Sequence, residues 1–545
     1  MNLIGNINAI PFRRFRGGGG VAPIPPFLSI PGMIARYSAL GLTNEQMAAN
    51  PVWVDKTGNG HDLQMKNFAW KEGSGISDVY LGALVFDGVD DYGVCENFPI
   101  LTKEKGYTVV ALRQWITYNP NAISAIATNA SDRSFNGAFT FENYNKGAEQ
   151  TISYGTTQIS LQYSKSPFSW QTTSKYNGFN IANGNKDATN SLVLGRSYPQ
   201  RNEFANFAIW ELVFLDHDAT EEELTKIKDY FVKTYPWLFP YQAWTVVGKT
   251  NEDEDRATIA NITGNGNNLV LSNFGFAEGS GYGLYAYNFN SFNLRDNVVK
   301  PTDVKKDSFR IIGTGNNSNV LVLLNESDSA DWKIRITGMK EGDRCLIGNA
   351  NKSGEYIIVT KDGTYTFQKQ YVATFTNGIW YNSSQEVDVL VEQIPEYEGY
   401  LVTDGVDDKI TSSTFEMGND WTVIGDWELI NTGKNNNAGI VKFNSIVIYN
   451  YNPILINIKN GRNILIPDQN TVNAICSDGR IYSKDWKEFI YNEETESTSK
   501  NFLTIGYSGN VYTKIAFKNL AIYPTVLSRE DCIKAYNYLQ TLKAK

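Results

Sequence analysis

The chain has 545 residues, 42% hydrophobic and 20% charged, enough to bury several separate cores. A formal net charge of −9 leaves no basic field for nucleic acid. Two histidines and four cysteines exclude a multi-histidine metal centre within one chain and a dense disulfide framework.

Residues 1–32 read as a segment apart. Arg13, Arg14 and Arg16 precede Gly17 to Gly20, and prolines follow at 23, 25, 26 and 31. Four glycines and then prolines cannot continue one regular element. The segment is expected to be either a disordered tail or an arm that orders on a partner. The first ten residues lack the charged-then-apolar order of a secretion signal. No apolar run approaches the ~20 residues of a membrane span. Synthesis in the cytoplasm of the producing cell, with no membrane insertion, is expected. Cys95, Cys345, Cys476 and Cys532 form no CxxC spacing, which suits a reducing compartment.

Residues 33–239 form a first β-domain. Leu84-Val85-Phe86 enters Asp87-Gly88, and Tyr92 to Cys95 leaves it; this reads as strand, tight turn, strand, with glycine supplying a positive φ. Strands are expected at Tyr107 to Ile116 and Asn206 to Leu215. A helix follows, with Thr220 and Glu223 in capping-box spacing and Leu224, Ile227 and Phe231 along one face.

The same phrases then return. Thr57-Gly-Asn-Gly60 and its sequel up to Gly75 align without a gap on Thr263-Gly-Asn-Gly266 up to Gly281. Asp87-Gly-Val-Asp-Asp91 recurs as Asp404-Gly-Val-Asp-Asp408, at a larger offset. One unit was therefore duplicated, and the second copy, residues 240–291 and 399–545, was split by an insert. Asn519 to Ile522 resembles Asn206 to Ile209. Ser528 with Asp531 then starts a closing helix whose stripe is Ile533, Tyr536 and Leu539. The insert, residues 292–398, alternates at Trp332 to Thr337 and at Glu355 to Thr360. Asp362-Gly363 reads as a hairpin turn into Thr364 to Phe367, and Val387 to Val391 closes a small β-sandwich. An exposed loop tip is where such an insertion is tolerated.

The phrase Phe86 to Tyr92, the preceding Thr-Gly-Asn-Gly and the terminal strand-plus-helix resemble concanavalin A-like lectin/glucanase domains of the laminin-G type. The resemblance covers both copies. It implies an all-β chain of two jelly-roll sandwiches, each closed by a short helix, besides the inserted sandwich and the irregular arm. The whole arrangement is similar to fibre-type virion proteins of tailed phages that infect Bacteroides-like hosts, including crAss-like phages. That likeness implies a virion location and capsid or tail proteins as partners through the arm, with Arg13, Arg14 and Arg16 docking.

The chemistry-bearing residues point away from catalysis. Asp87, Asp90 and Asp91 invite a hard cation, but turn shaping and backbone capping explain them more simply. Thr57 to Gly60 lacks the lysine of a phosphate loop. Glu252-Asp-Glu-Asp255 does not alternate along a strand as glycosidase carboxylates would, and reads as a solvated run aligned with Glu45 to Ala48. His61 has Asn267 as its counterpart, so no histidine triad repeats. Sugar faces stack on aromatic rings, which nominates Trp170, Tyr176, Tyr449, Tyr451 and Trp486 for glycan contact; Trp70, aligned with Phe276, reads as core. The expectation is a non-enzymatic virion fibre or decoration, without cofactor, adhering weakly to host or mucosal glycans as a dimer or trimer. A glycoside hydrolase with one active copy and a bacterial surface adhesin are the alternatives.

Overall fold

Runs of alternating and continuous apolar residues make this chain mostly β. The computed structural model describes residues 29–101, 106–117, 126–130, 140–141, 158–163, 188–196, 203–276, 279–285, 289, 293–294, 301–314, 318–323, 332–349, 356–367, 377–416, 418–430, 439–443, 446–449, 454–458, 462–466, 472–490, 503–505, 507–508 and 511–544. Two compact units divide the chain between Tyr241 and Gln242, and the first also takes Leu527–Leu542. No helix among the described residues is long and apolar enough to cross a membrane.

The first unit is a sandwich of two six-stranded sheets. One runs Gly75–Ser77, Ala83–Asp87, Asn206–Leu215, Thr108–Thr117, Gln158–Tyr163, with Met33–Ser38 also paired to Asn206–Leu215. The other runs Val52–Trp53, Leu63–Lys66, Tyr92–Cys95, Ala188–Leu194, Ala127–Ala130, Thr140–Phe141. Their facing side chains, among them Trp53, Leu63, Leu84, Phe86, Trp115, Phe207 and Phe214, form one buried core. Helix Glu221–Thr234 takes the expected capping box from Thr220 and Glu223 and buries Ile227, Tyr230 and Phe231.

The second unit repeats this order strand for strand. Gly281–Tyr282, Leu401–Val402, Ile515–Tyr523, Thr422–Leu429, Val472–Cys476 make one sheet, with Gln242–Thr245 paired to Ile515–Tyr523. Thr258–Ile259, Leu269–Ser272, Lys409–Ser412, Leu503–Ile505, Gly439–Phe443, Ile446–Tyr449 make the other. Each sheet carries two more strands at one edge.

The repeat fixes equivalences that short phrases do not. Ala208 pairs with Val85, and Ala516 with Val402. Glu211 lies opposite Ser38, and Asn519 opposite Thr245. Asn519 therefore matches Glu211, five residues from the expected match with Asn206. An odd slip would have turned every side chain of that strand to the wrong face. Similar apolar phrases recur along one buried strand, so four residues cannot set the register.

Three further expectations are corrected. The helix Arg529–Gln540, expected within the bounds of the second copy, groups by its contacts with the first unit. Lys534 lies over the Trp237 ring, 4.3 Å from its centre. The helix buries Cys532, Ala535, Tyr538 and Leu539, so of the expected stripe only Leu539 is buried. Finally, the Asp362-Gly363 turn is not a hairpin, and the Asp87-Gly88 turn likewise joins two sheets. Ala83–Asp87 and Tyr92–Cys95 lie in different sheets, as do Tyr356–Val359 and Gly363–Phe367. Asp-Gly marks a sharp reversal, but which sheet the next strand joins is decided by long-range pairing.

The insert is a sandwich of a five-stranded and a four-stranded sheet around Phe289, Phe309, Ile334, Ile347, Ile379, Tyr381 and Val389. It leaves after Tyr282 and returns at Leu401, which pair directly. The equivalent place in the first unit is the short turn Asp78–Gly82 between paired strands Gly75–Ser77 and Ala83–Asp87. Phe289 packs in the insert's core, so the insert begins before residue 292.

One buried network of the first unit has no counterpart at the equivalent described positions of the second. Arg36 Nε lies 3.2 Å from Glu211 Oε2, and Tyr235 Oη donates to Glu211 Oε1 at 2.9 Å. Tyr230 joins from the helix, hydrogen-bonded to Arg36. The equivalent positions in the second unit are Ala243 and Asn519. Removing one partner of a buried pair strands the other charge, whereas replacing both with apolar groups does not. Glu211→Ala should therefore destabilise the first unit by about 3–5 kcal/mol in urea unfolding, and Arg36→Met/Glu211→Leu by clearly less. A double variant as unstable as the single one would contradict this account.

Candidate functional site

Among the described residues, three carboxylates gather where the chain passes from one sheet to the other, and the arrangement is built twice. Asp87 Oδ1 accepts from the amides of Val89 at 2.8 Å, Asp90 at 3.2 Å and Asp91 at 3.4 Å. Asp91 Oδ2 accepts from the Asp87 amide at 3.0 Å, closing the loop on itself. Asp404 Oδ1 accepts from Val406 at 2.7 Å, Asp407 at 3.2 Å and Asp408 at 3.5 Å, and Asp408 Oδ2 accepts from the Asp404 amide at 2.6 Å. Gly88 and Gly405 adopt φ of 75° and 77°, and a Cβ on Gly88 would stand 2.7 Å from Asn206 Cβ. The position admits no other residue without strain.

The neighbouring loop docks on this corner by the same bonds in both units. Asn67 Nδ2 donates to the Asp90 carbonyl at 3.0 Å, and Asn273 Nδ2 to the Asp407 carbonyl at 2.9 Å. Ser74 Oγ accepts from Ala69 N at 2.8 Å and donates to Asp91 Oδ1 at 3.1 Å. Ser280 Oγ accepts from Gly275 N at 2.9 Å. Trp70 and Phe276 both take positive φ, 50° and 47°, and pack toward the interior.

Where the copies differ, acids give way to amides while the bonds persist. Asp55 Oδ1 accepts from Arg36 N at 3.0 Å and Thr57 N at 2.9 Å; Asn261 Oδ1 accepts from Ala243 N at 3.4 Å and Thr263 N at 2.9 Å. Asp62 Oδ1 accepts from Asp55 N at 2.8 Å, and Asn268 Oδ1 from Asn261 N at 3.0 Å. The Thr57 to Gly60 turn is thus held by an acceptor that need not be charged. The run Glu252 to Asp255 is likewise structural: Asp253 accepts from Thr250 N at 3.0 Å, as Gln46 caps Thr43, and Asp255 pairs with Lys249 at 2.6 Å.

In each corner one carboxylate oxygen from all three acids falls within 4.8 Å of the others, a spacing that suits a hard cation. Asp87, Asp404, Asp91 and Asp408 nevertheless already accept from backbone amides. His217 Nδ1 meets Asp216 at 2.9 Å and Nε2 meets Glu223 at 3.2 Å beside the helix cap. These contacts raise its pKa, the Asp216 bond foremost.

Of the residues nominated for glycan contact, Trp170, Tyr176 and Tyr451 lie outside the described residues, as do Arg13, Arg14 and Arg16. Tyr449 ends the strand Ile446–Tyr449. Trp486 is half-buried at φ 59° in the turn after Arg480–Ser483, its ring 6.2 Å from that of Tyr482. The structure does not bring these residues into one described cluster. An aromatic on the inserted sandwich, Trp380, went unnoticed, because a tryptophan within a strand reads as core unless the facing register is known.

No family model and no curated protein matches the chain. Solved structures that overlap it include a botulinum neurotoxin serotype C1 binding domain, at 9% identity and TM-score 0.24, covering 90% of this chain and 99% of that one. Another, titled for the dependence of botulinum neurotoxin type C cell entry on two ganglioside molecules, has 9% identity and TM-score 0.23, covering 91% and 98%. A Trypanosoma rangeli sialidase in complex with sialic acid overlaps at 9% identity and TM-score 0.18, covering 52% and 67%. Overlaps this loose carry no argument about the chain.

Burial pushes the Asp91 and Asp408 carboxyls up to about 7, against bonds from Ser74, Ser280 and the Asp87 and Asp404 amides that pull them down. Each therefore binds a proton more tightly in the folded state than in the unfolded one. The stability that protonation confers is present at acid pH and is lost as pH rises from about 4 to about 7. The melting temperature should rise on going from about pH 8 to about pH 5, and Asp91→Asn/Asp408→Asn should flatten that rise. An unchanged slope in the double variant, measured by calorimetry, would refute the assignment.

Proposed function

We propose that this chain is a non-enzymatic structural protein of a phage virion, a head or tail fibre or decoration. In this reading its two lectin-like sandwiches adhere weakly to host or mucosal glycans. The observation that carries it is the exchange of Asp55 and Asp62 for Asn261 and Asn268 within a repeated hydrogen-bonding frame. An amide accepts a hydrogen bond as an acid does, but it is neither a general acid–base nor a nucleophile. A frame that tolerates the exchange uses its carboxylates to hold backbone. Duplication of such a frame raises avidity for a repeated ligand without new contacts.

Docking falls to residues 1–32, where Arg13, Arg14 and Arg16 offer planar donors to acidic or carbonyl acceptors on a capsid or tail protein. A homo-oligomer, dimer or trimer, multiplies the display. Mass spectrometry and immunogold labelling of gradient-purified particles test the reading. The chain is expected at a fixed copy number per particle, and a variant lacking residues 1–32 is expected to be missing from particles while remaining folded. Recovery only outside particles, or release of reducing ends from polysaccharides by the purified chain, would overturn it.

A further inference from the structure

The five-stranded sheet of the inserted sandwich turns one face to its core and the other outward. Cys345, Ile347, Val359, Ile379 and Tyr381 line the core face. The alternate residues must then face away. Register places them in rows across the strands: Ile358 beside Leu346, and Leu346 beside Trp380. Trp380 is 38% exposed and Ile358 44% exposed, although the pattern of a two-sheet sandwich asks for polar residues on this side. One row away, Tyr356 lies beside Gly348, and Gly348 beside Gly378. Two glycines thus occupy the places where side chains would crowd the indole. On the other side of the Trp380 row stands Arg344, exposed and paired across the strands with Asn382.

These neighbours define a chemistry. An exposed indole offers a flat apolar face that suits the C–H surface of a pyranose ring. Arg344 sits diagonally from Trp380, a separation of about 7–8 Å that long side chains span. Among the described residues no carboxylate forms an ion pair with Arg344. A guanidinium binds a carboxylate through two parallel N–H donors. An apolar protein segment would leave the guanidinium uncompensated, and a purely neutral sugar would leave it unused. We propose that this outer face, centred on Trp380 and Arg344, binds an acidic saccharide, with one ring stacked on Trp380 and its carboxylate held by Arg344. The inference rests on the glycan-adhesion reading above and assigns that activity to the insert, away from the duplicated sandwiches.

The test uses the full chain and immobilised polyuronate, with a neutral glucan as the comparison. Polyuronate retention is expected, weakening as salt is raised. Trp380→Ala should lower affinity about tenfold or more, as loss of a central aromatic anchor does. Arg344→Gln should lower affinity for polyuronate about tenfold and remove the salt dependence, with unchanged circular dichroism in both variants. Ile312→Ala, at an exposed position on the insert's other sheet, should bind as the parent does. Polyuronate binding that survives both Trp380→Ala and Arg344→Gln would overturn this site while leaving glycan adhesion standing. No retention of any saccharide would overturn both readings. Self-association that disappears with Trp380→Ala, without saccharide binding, would assign the face to a second copy and also overturn the proposal.

Discussion

A single carboxylate that gathers three backbone amides is the constraint on which both sandwiches rest. Between Asp87 and Tyr92 the chain must leave one sheet and enter the other within four intervening residues, where no strand partner can satisfy its N–H groups. Val89 and Asp90 are exposed, so each bond contributes only about 0.5–1.5 kcal/mol net, but together they fix the reversal. Asp87 takes the amides of the turn, and Asp91 takes the amide of Asp87. Gly88 supplies the only backbone geometry that brings them together. The second unit repeats each part at Asp404, Gly405 and Asp408.

The two units show which parts of the frame are interchangeable. Asp55 and Asp62 have Asn261 and Asn268 as counterparts, and the bonds they share need only an acceptor. The Arg36–Glu211 pair has no such latitude, since it must be kept whole or replaced whole. It ties the helix Glu221–Thr234 to the sandwich through Tyr230, and the second unit, with Ala243 and Asn519 in those places, has dispensed with it. The insert follows the same logic. It replaces a short turn between two strands that already pair, so its entry and exit lie side by side and the host sandwich keeps its sheets.

A frame whose acids are occupied in holding backbone leaves recognition to surfaces that carry no structural duty. The outer face of the insert is such a surface. Trp380 and Ile358 are exposed there, beside an exposed Arg344.

Much was legible from the order of residues alone. The duplication, the all-β class, the strand Asn206–Leu215 and the capped helix after it follow from repeated phrases, period-two patterning and a capping box, which are local physics. The interpretation of Asp87 as a turn former also followed, because a glycine beside an aspartate has few other uses. What local physics cannot supply is the partner. It could not say that Asp-Gly joins two sheets, that Asn519 matches Glu211, or that Arg529–Gln540 belongs with the first unit. Nor could it say that Trp380 faces outward, since a strand's two faces are equivalent until its neighbours choose one. Those choices are set by contacts between residues far apart in sequence, and only tertiary packing decides them.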